Sequence, residues 1–590
     1  MGHAALNTLA LAAILLLSVC YLLIKLSRSR HSPAESSQGD KYSLDSIIAY
    51  IKFSMHEISR NQQQDYGLSE EAYKRRRHQR AELRKALKGC VTGDEQDKRF
   101  VKSYISNLLQ TDYGLGAEHV DFVIPFEEGN LLTVQDRFEL ILYIYKLRYG
   151  HAALAALITD YNWDHPKEMA GESTGWRYEI TREDVDRAFY LEYRKLTYEE
   201  KLEFVAQRVY QQYKGLSVID EIRDQNIDGV SGGVSGIPQE ISLDHSLQDF
   251  TGKRSWDSIW IFFKGKSIHL SFLSFGSEGE LKRVCQNIYK YNLPGPLSEA
   301  NGFKVNEMKD GSRVVVVRPP FAESWAFFVR KFDASKTALE ELIVGENAEM
   351  VVELLTYLMK GSRITAITGA QGSGKTTLLM ALVKYIYQAY TLRVQEMSFE
   401  LHLRRLYPTR NILTFRETDY VTGQAGLDLQ KKTDGTVNIL GEVATDEVAA
   451  WMIQTAQVAS LFTLFTHHAR TFSSLVHSLR NSLLKAGVFR DERIAERQVV
   501  DVIHFDIHLK HDMTGKRYIE RITECIPCES ESGQALFEQR DIIVYRDGRY
   551  EPARAMTEST VSSMKSEMTS ADAGLFGRFI GCYWREKLGA

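Results

Sequence analysis

Gly369-Ala370-Gln371-Gly372-Ser373-Gly374-Lys375-Thr376 spells G-x-x-x-x-G-K-[ST], between an apolar run, Ile364 to Ile367, and a helical pattern from Thr377 through Ile386. That context predicts a strand, a glycine-rich loop and a helix N-terminus that aim successive backbone N–H groups at one anion. Lys375 can then reach the β- and γ-phosphates and Thr376 can ligate Mg²⁺. A chain of this kind is expected to fold as α/β and to bind a nucleoside triphosphate, ATP, through Gly369 to Thr377.

At 590 residues the chain exceeds what one hydrophobic core organises, so several domains are expected. Acidic and basic residues nearly cancel, 77 against 73, which leaves no whole-chain field to recruit nucleic acid. Six cysteines over this length suit a reducing compartment. Cys525 and Cys528 form one C-x-x-C without a second half-site, and structural cysteines are the expectation there.

Ala5 to Leu26 is almost wholly apolar and long enough to cross a bilayer. No Lys or Arg precedes it, while Lys25, Arg28 and Arg30 follow it, so the expected arrangement is one transmembrane helix with the bulk of the chain in the cytoplasm. Five parts are expected: a membrane anchor over 1–30, a helical N-terminal region over 31–228, an α+β domain over 229–345, the phosphate-loop domain over 346–550, and a flexible linker with an aromatic tail over 551–590. The boundary at Gly229 to Gly236 is drawn from its glycine- and serine-rich composition, which predicts flexibility. Asp310-Gly311 predicts a hairpin turn between two strands. The run Lys74 to Arg80 reads as a solvated helix face rather than a lipid-binding patch.

Further along, Val437 to Leu440 is a short apolar strand followed by Gly441 and Glu442, a carboxylate expected to orient the attacking water. The strand itself is expected beside the loop's own strand. Adjacent His467 and His468 lack acidic or cysteine partners at ligand spacing, so a zinc site is not expected.

The stretch Lys309-Asp310-Gly311-Ser312-Arg313, then Arg318-Pro319-Pro320, then Val329-Arg330-Lys331-Phe332, followed by the phosphate loop, resembles the hexameric secretion ATPases of the type II/type IV superfamily. It looks most like the branch that powers tight-adherence (Flp) pilus assembly. The resemblance covers roughly residues 195 to 525. It implies a RecA-like ATPase domain preceded by a smaller α+β domain, a homo-hexamer, an inner-membrane platform protein as partner, and a place at the cell inner membrane. By the same resemblance Gln395-Glu396-Met397-Ser398-Phe399-Glu400-Leu401 is similar to the family's acidic box, with Glu396 catalytic and Glu400 on the metal. Thr466 to Thr471 is similar to its histidine box, with His468 sensing the γ-phosphate. Arg313, Arg318 and Arg330 are candidates for arginines delivered to the phosphates from the preceding domain, and Arg313 and Arg330 resemble the family's positions. Met397 stands where the acidic box has an aspartate, and Ala444 and Gln457-Val458-Ala459-Ser460 also depart from the pattern. Those departures keep open a nucleotide-binding scaffold with little turnover. A conjugation or DNA-transport motor is the third reading, against which the lack of a basic stripe argues.

Overall fold

The computed structural model describes residues 41–60, 69–168, 175–238, 252–292, 294–332, 338–418, 421–430, 432–458, 460–512, 515–528 and 535–584. The anchor expected over 1–30 lies outside them. Among the described residues no helix is long and apolar enough to cross a membrane. The chain divides into two compact units: one runs to Gly150 and resumes over Thr181–Glu221, and the other takes His151–Ile180 and everything from Ile222 onward.

The first unit is helical. Its main elements are α1 (Leu44–Arg60), α2 (Glu70–Gly89), α3 (Glu95–Thr111), α4 (Val134–Tyr149), α5 (Arg182–Glu192) and α6 (Tyr198–Tyr213). Three of them start with a reciprocal cap: Thr133 with Asp136, Thr181 with Asp184, and Thr197 with Glu200 each satisfy N–H groups that a helix start leaves open. α3 buries Val101, Ile105, Leu108 and Leu109 at helical spacing, which is the apolar stripe the sequence shows. The basic run Lys74 to Arg80 lies on α2, where Lys74 pairs with Glu70 at 2.7 Å on the solvent side.

The second unit contains two large sheets and a short ribbon that pairs Lys167–Glu168 with Trp176–Arg177. The first has seven strands, β1 (Glu179–Ile180), β2 (Gly229–Gly232), β3 (Ile259–Phe263), β4 (Lys266–Leu270), β5 (Phe303–Glu307), β6 (Arg313–Val317) and β7 (Ala326–Arg330). They lie in the order β1-β4-β3-β2-β7-β6-β5. α7 (Glu278–Ile288) covers one face with Leu281, Val284, Cys285 and Ile288.

This corrects the expected boundary at Gly229 to Gly236, because Gly229–Gly232 is a fully buried strand between β3 and β7. A Cβ on Gly229 would stand 2.2 Å from the Val329 carbonyl oxygen, and one on Gly232 would stand 2.5 Å from the Phe327 ring. The glycines are there because neighbouring groups come too close for a side chain. β1, drawn from the region expected to be helical, pairs with β4 in parallel.

The second sheet has nine strands: β8 (Thr365–Gly369), β9 (Leu392–Glu396), β10 (Ile412–Arg416), β11 (Val437–Leu440), β12 (Phe462–His467), β13 (Phe505–His511), β14 (Arg517–Pro527), β15 (Phe537–Arg546) and β16 (Arg549–Pro552). Their order is β10-β9-β11-β12-β8-β13-β14-β15-β16, parallel as far as β13 and antiparallel beyond it. Its mixed α/β architecture is the expected fold class. One expectation fails. β11 does not lie beside β8; β12 stands between them. The helices α8 (Ala348–Lys360), α9 (Lys375–Leu382), α10 (Asp446–Val458), α11 (Phe472–Lys485) and α12 (Glu492–Val502) accompany the sheet and contribute to one continuous apolar core.

The linker and tail expected over 551–590 are also corrected. Glu558–Glu567 and Ser570–Trp584 form two helices, α13 and α14, and α14 buries Phe576, Phe579, Ile580 and Trp584 in that core. Tyr357 of α8 meets Phe576 and Phe579 at centroid distances of 5.0 and 5.3 Å. Lys360 fixes the start of α14 through Asp572 at 2.6 Å. Aromatic area of this size is expelled from water rather than left on a tether. Cys525 is buried in the same core.

Candidate nucleotide site

β8 ends at Gly369, where a Cβ would lie 2.3 Å from the Leu509 carbonyl oxygen. Only glycine fits between the two strands there. Gly372 and Gly374 adopt φ of 78° and 96°, so the loop turns back over the start of α9. Gly374 caps α9 with no side-chain hydrogen bond, which leaves the first-turn N–H groups to whatever sits in the loop. The Ser373 hydroxyl is buried without a partner. Together these features suit a bound polyphosphate.

Lys375 is 8% exposed, and its ammonium donates to the carbonyls of Gly369 and Ala370, both at 3.0 Å. Burial pulls its pKa down to about 8, against an upward pull from Glu442. His468 Nδ1 lies 3.3 Å from the same ammonium, and its Nε2 lies 3.2 Å from Glu442 Oε1. An ammonium has no lone pair, so Nδ1 must accept, the ring proton sits on Nε2, and Nε2 donates to the carboxylate. Lys375, His468 and Glu442 therefore form one polarised chain. β12 brings His468 to Lys375 because it, and not β11, is the neighbour of β8.

Sequence reasoning missed the groups that hold Glu442 in place. Thr466 Oγ1 donates to the Gly441 carbonyl at 2.5 Å, the Val443 N–H donates to the Thr466 carbonyl at 2.9 Å, and His467 Nδ1 lies 2.8 Å from the Val443 carbonyl. Burial lowers the His467 pKa, which keeps it a neutral latch. Alternation along β12 turns His467 to the protein and His468 to the loop, as a period of two requires.

Glu396 is 5% exposed, and its Oε2 accepts the N–H groups of Glu400 and Leu401 at 2.8 and 2.7 Å. Burial raises its pKa to about 7, opposed by those two hydrogen bonds. Glu396 and Glu400 share no helix face, since β9 ends at Glu396 and the chain bends over 397–401. Glu396 shapes this bend. Glu400 Oε1 instead receives Arg313 at 3.2 Å and Ser398 at 3.0 Å. Arg313 thus reaches the bend after β9 through Glu400. Arg330 is exposed opposite Arg313 on β7, and among the described residues no hydrogen bond or ion pair joins it to the loop. Arg318 is engaged by Glu299 at 2.9 Å.

Two further contacts lie close to the loop. The Thr368 hydroxyl donates to Asp506 Oδ1 at 2.6 Å and lies 2.8 Å from His508 Nδ1, beneath Gly369. Burial raises Asp506 to about 7 and lowers His508 to about 4. The methylenes of Arg517 pack on the loop, with Cδ 3.6 Å from where a Gly374 Cβ would be. No sequence signal singled these out, because each depends on strand register.

Residues 305–491 match the family described as "Type II/IV secretion system protein". Over that stretch the chain is similar to the type II/IV secretion ATPase superfamily. The competence protein ComGA of Halalkalibacterium halodurans is 26% identical over 133 residues, 22% of this chain and 37% of that protein. The chain therefore spans a little over a third of the length of this curated relative. Among solved structures, the VirB11 ATPase of the Brucella suis type IV secretion system, solved with sulphate, is 17% identical over 50% of this chain and 89% of its own, with a TM-score of 0.27. The pilus retraction motor PilT with bound ADP is 14% identical over 63% of this chain and 92% of its own, with a TM-score of 0.36.

Proposed function

We propose that this chain is a Mg²⁺-dependent ATPase whose hydrolysis cycle drives assembly of a type IV or Flp-like pilus, or protein secretion, through an inner-membrane platform protein. The observation that carries the reading is the Lys375-His468-Glu442 chain at the mouth of a phosphate loop, inside the segment that matches the secretion family. Lys375 and the N–H groups at the start of α9 bind the phosphates, and Thr376 would ligate the ion. Bound Mg²⁺ would supply charge neutralisation on the β- and γ-phosphates. Glu442, held by Thr466 and His467, positions the attacking water, and His468 senses the γ-phosphate side of Lys375. Arg313 reports the phosphate state to the first sheet through Glu400. A homo-hexamer would let Arg330, exposed in one copy, reach the nucleotide of the next. Residues 5–26 would anchor the chain in the inner membrane with the remainder in the cytoplasm.

Steady-state phosphate release by the whole chain, compared with Glu442→Gln, tests this. A Mg²⁺-dependent rate that the substitution abolishes supports the motor. Equal background rates favour a nucleotide-binding scaffold, the reading that Met397 and the engaged Glu400 motivate. Stimulation by DNA would favour a DNA-transport motor.

A further inference from the structure

The helical unit contains a cavity of about 130 Å³ between α3, α4 and α6, closed on one side by Glu221. An apolar cavity of similar size takes up a benzene ring, so this one has room for a molecule of roughly six to eight non-hydrogen atoms. Leu142, Leu147 and Phe204 supply apolar wall, and charged groups stand around it.

Those charges fall into two groups. On one side Lys98, Lys102 and Lys146 gather about Asp220 and Glu221. Lys98 reaches Glu221 at 3.1 Å and Lys146 lies closer still, whereas Lys102 stays 3.8 Å away, beyond hydrogen bonding. On the other side Arg208 holds Asp136 at 2.7 Å and Glu139 at 2.8 Å, and Glu139 also accepts from Gln135 at 2.8 Å. Between them Gln207, 8% exposed, donates Nε2 to Asp220 at 3.0 Å and leaves its Oε1 buried with no partner. Burying so many charges is costly unless each is matched. Among the described residues the wall thus offers Lys102 no acceptor within hydrogen-bond distance and Gln207 Oε1 no donor. Single waters fit poorly against the apolar part of the wall, because a buried water needs two to four polar partners.

We propose that this cavity binds a small aliphatic amino acid. The ligand's carboxylate meets the Lys102 ammonium, its ammonium donates to Gln207 Oε1 on the Glu139 side, and its side chain lies against Leu142 and Phe204. The ligand's two polar ends supply the acceptor for Lys102 and the donor for Gln207. This inference does not rest on the ATPase reading, since every group lies in the helical unit.

Saturation-transfer NMR with the whole 590-residue chain tests it, using L-valine, 3-methylbutanoate and isobutylamine as probes. Transfer to L-valine is expected, with about tenfold weaker affinity for the acid and the amine, each of which lacks one polar end. Lys102→Met and Gln207→Leu should each weaken L-valine about tenfold. Leu142→Phe, which fills the cavity, should abolish transfer, with thermal melting used to confirm that the three variants fold. No transfer to any probe with the unmodified chain would overturn the proposal. So would transfer that survives Leu142→Phe, or L-valine binding that folded Lys102→Met and Gln207→Leu leave unchanged.

Discussion

Arg313 of the seven-stranded sheet meets Glu400 of the acidic loop at 3.2 Å, 87 residues further along the chain. Its cross-strand partner, Glu307, receives Arg416 from the nine-stranded sheet at 2.8 Å, and the Arg416 guanidinium lies 4.7 Å from the centre of the Phe399 ring. Two neighbours of opposite charge on one hairpin therefore grip both sides of the loop that follows Glu396. Each pair is partly exposed, so each adds only about 0.2–1 kcal/mol to stability. Their effect is on where the loop sits.

Glu307→Arg and Arg416→Glu, taken singly, should each shift the melting temperature little yet lower phosphate release about tenfold, because the loop loses one hold. The double exchange, which restores opposite charges, should recover most of the rate. A double variant no faster than the singles would show that the pair does not place the loop.

Glu442→Gln should reduce kcat by about two to three orders of magnitude while nucleotide affinity, read by a fluorescent analogue, stays within a few-fold. His467→Ala should also lower kcat, although among the described residues its ring hydrogen-bonds the Val443 carbonyl and Ser478 alone, because Glu442 would lose its latch. Rescue by His467→Asn, which can still hydrogen-bond, separates latching from proton transfer.

Nucleotide affinity should depend on pH through Lys375. With the free protein's ammonium at about 8, raising the pH above 8 removes the charge that grips the phosphates. The apparent Kd should then rise by up to about tenfold per pH unit until the pKa of the bound state is passed. Lys375→Arg, which stays charged, should flatten that profile, and a profile identical to the unmodified chain would assign the titration elsewhere.

The phosphate loop was legible because its spacing encodes a backbone shape, and Asp310-Gly311 was legible because a tight turn needs those residues. What failed was non-local. The glycines at 229 and 232 read as a linker, since the sequence shows missing side chains but not the Val329 and Phe327 groups that fill their places. The last helices read as a tail because Ser and Thr around 557–570 hide an apolar stripe that needs Tyr357 for a partner. Strand order, which brings His468 rather than a residue of β11 next to Lys375, has no local signature at all.

Phe576 is fully buried beneath Tyr357, so Phe576→Ala should cost about 3–5 kcal/mol in denaturant unfolding of the second unit. Lys360→Met should cost less, because only the partly exposed pair with Asp572 is lost. An effect of Phe576→Ala below about 1 kcal/mol would return the segment to the status of a detachable tail.

Asp506 should give the fold an unusual pH dependence. Its carboxyl is fully buried, accepts from Thr368 with one oxygen, leaves the other without a partner, and is held at about 7 rather than its ordinary 3.8. The folded state therefore binds a proton that the unfolded chain releases, between pH 3.8 and about 7. Where the folded state carries more protons, stability falls as pH rises, so this group's contribution is present at low pH and is lost on approaching pH 7. His508, held at about 4 by burial, has the opposite sign: the unfolded chain takes up its proton below about 6.5, so its contribution is lost as pH falls. Asp506→Asn keeps an acceptor for Thr368 and removes only the first of these. Its stability relative to the unmodified chain should increase from pH 5 to pH 7, with a slope approaching about 1.4 kcal/mol per pH unit. Urea unfolding at several pH values measures that slope, and parallel curves for the two proteins would show that Asp506 stays ionised beneath the phosphate loop.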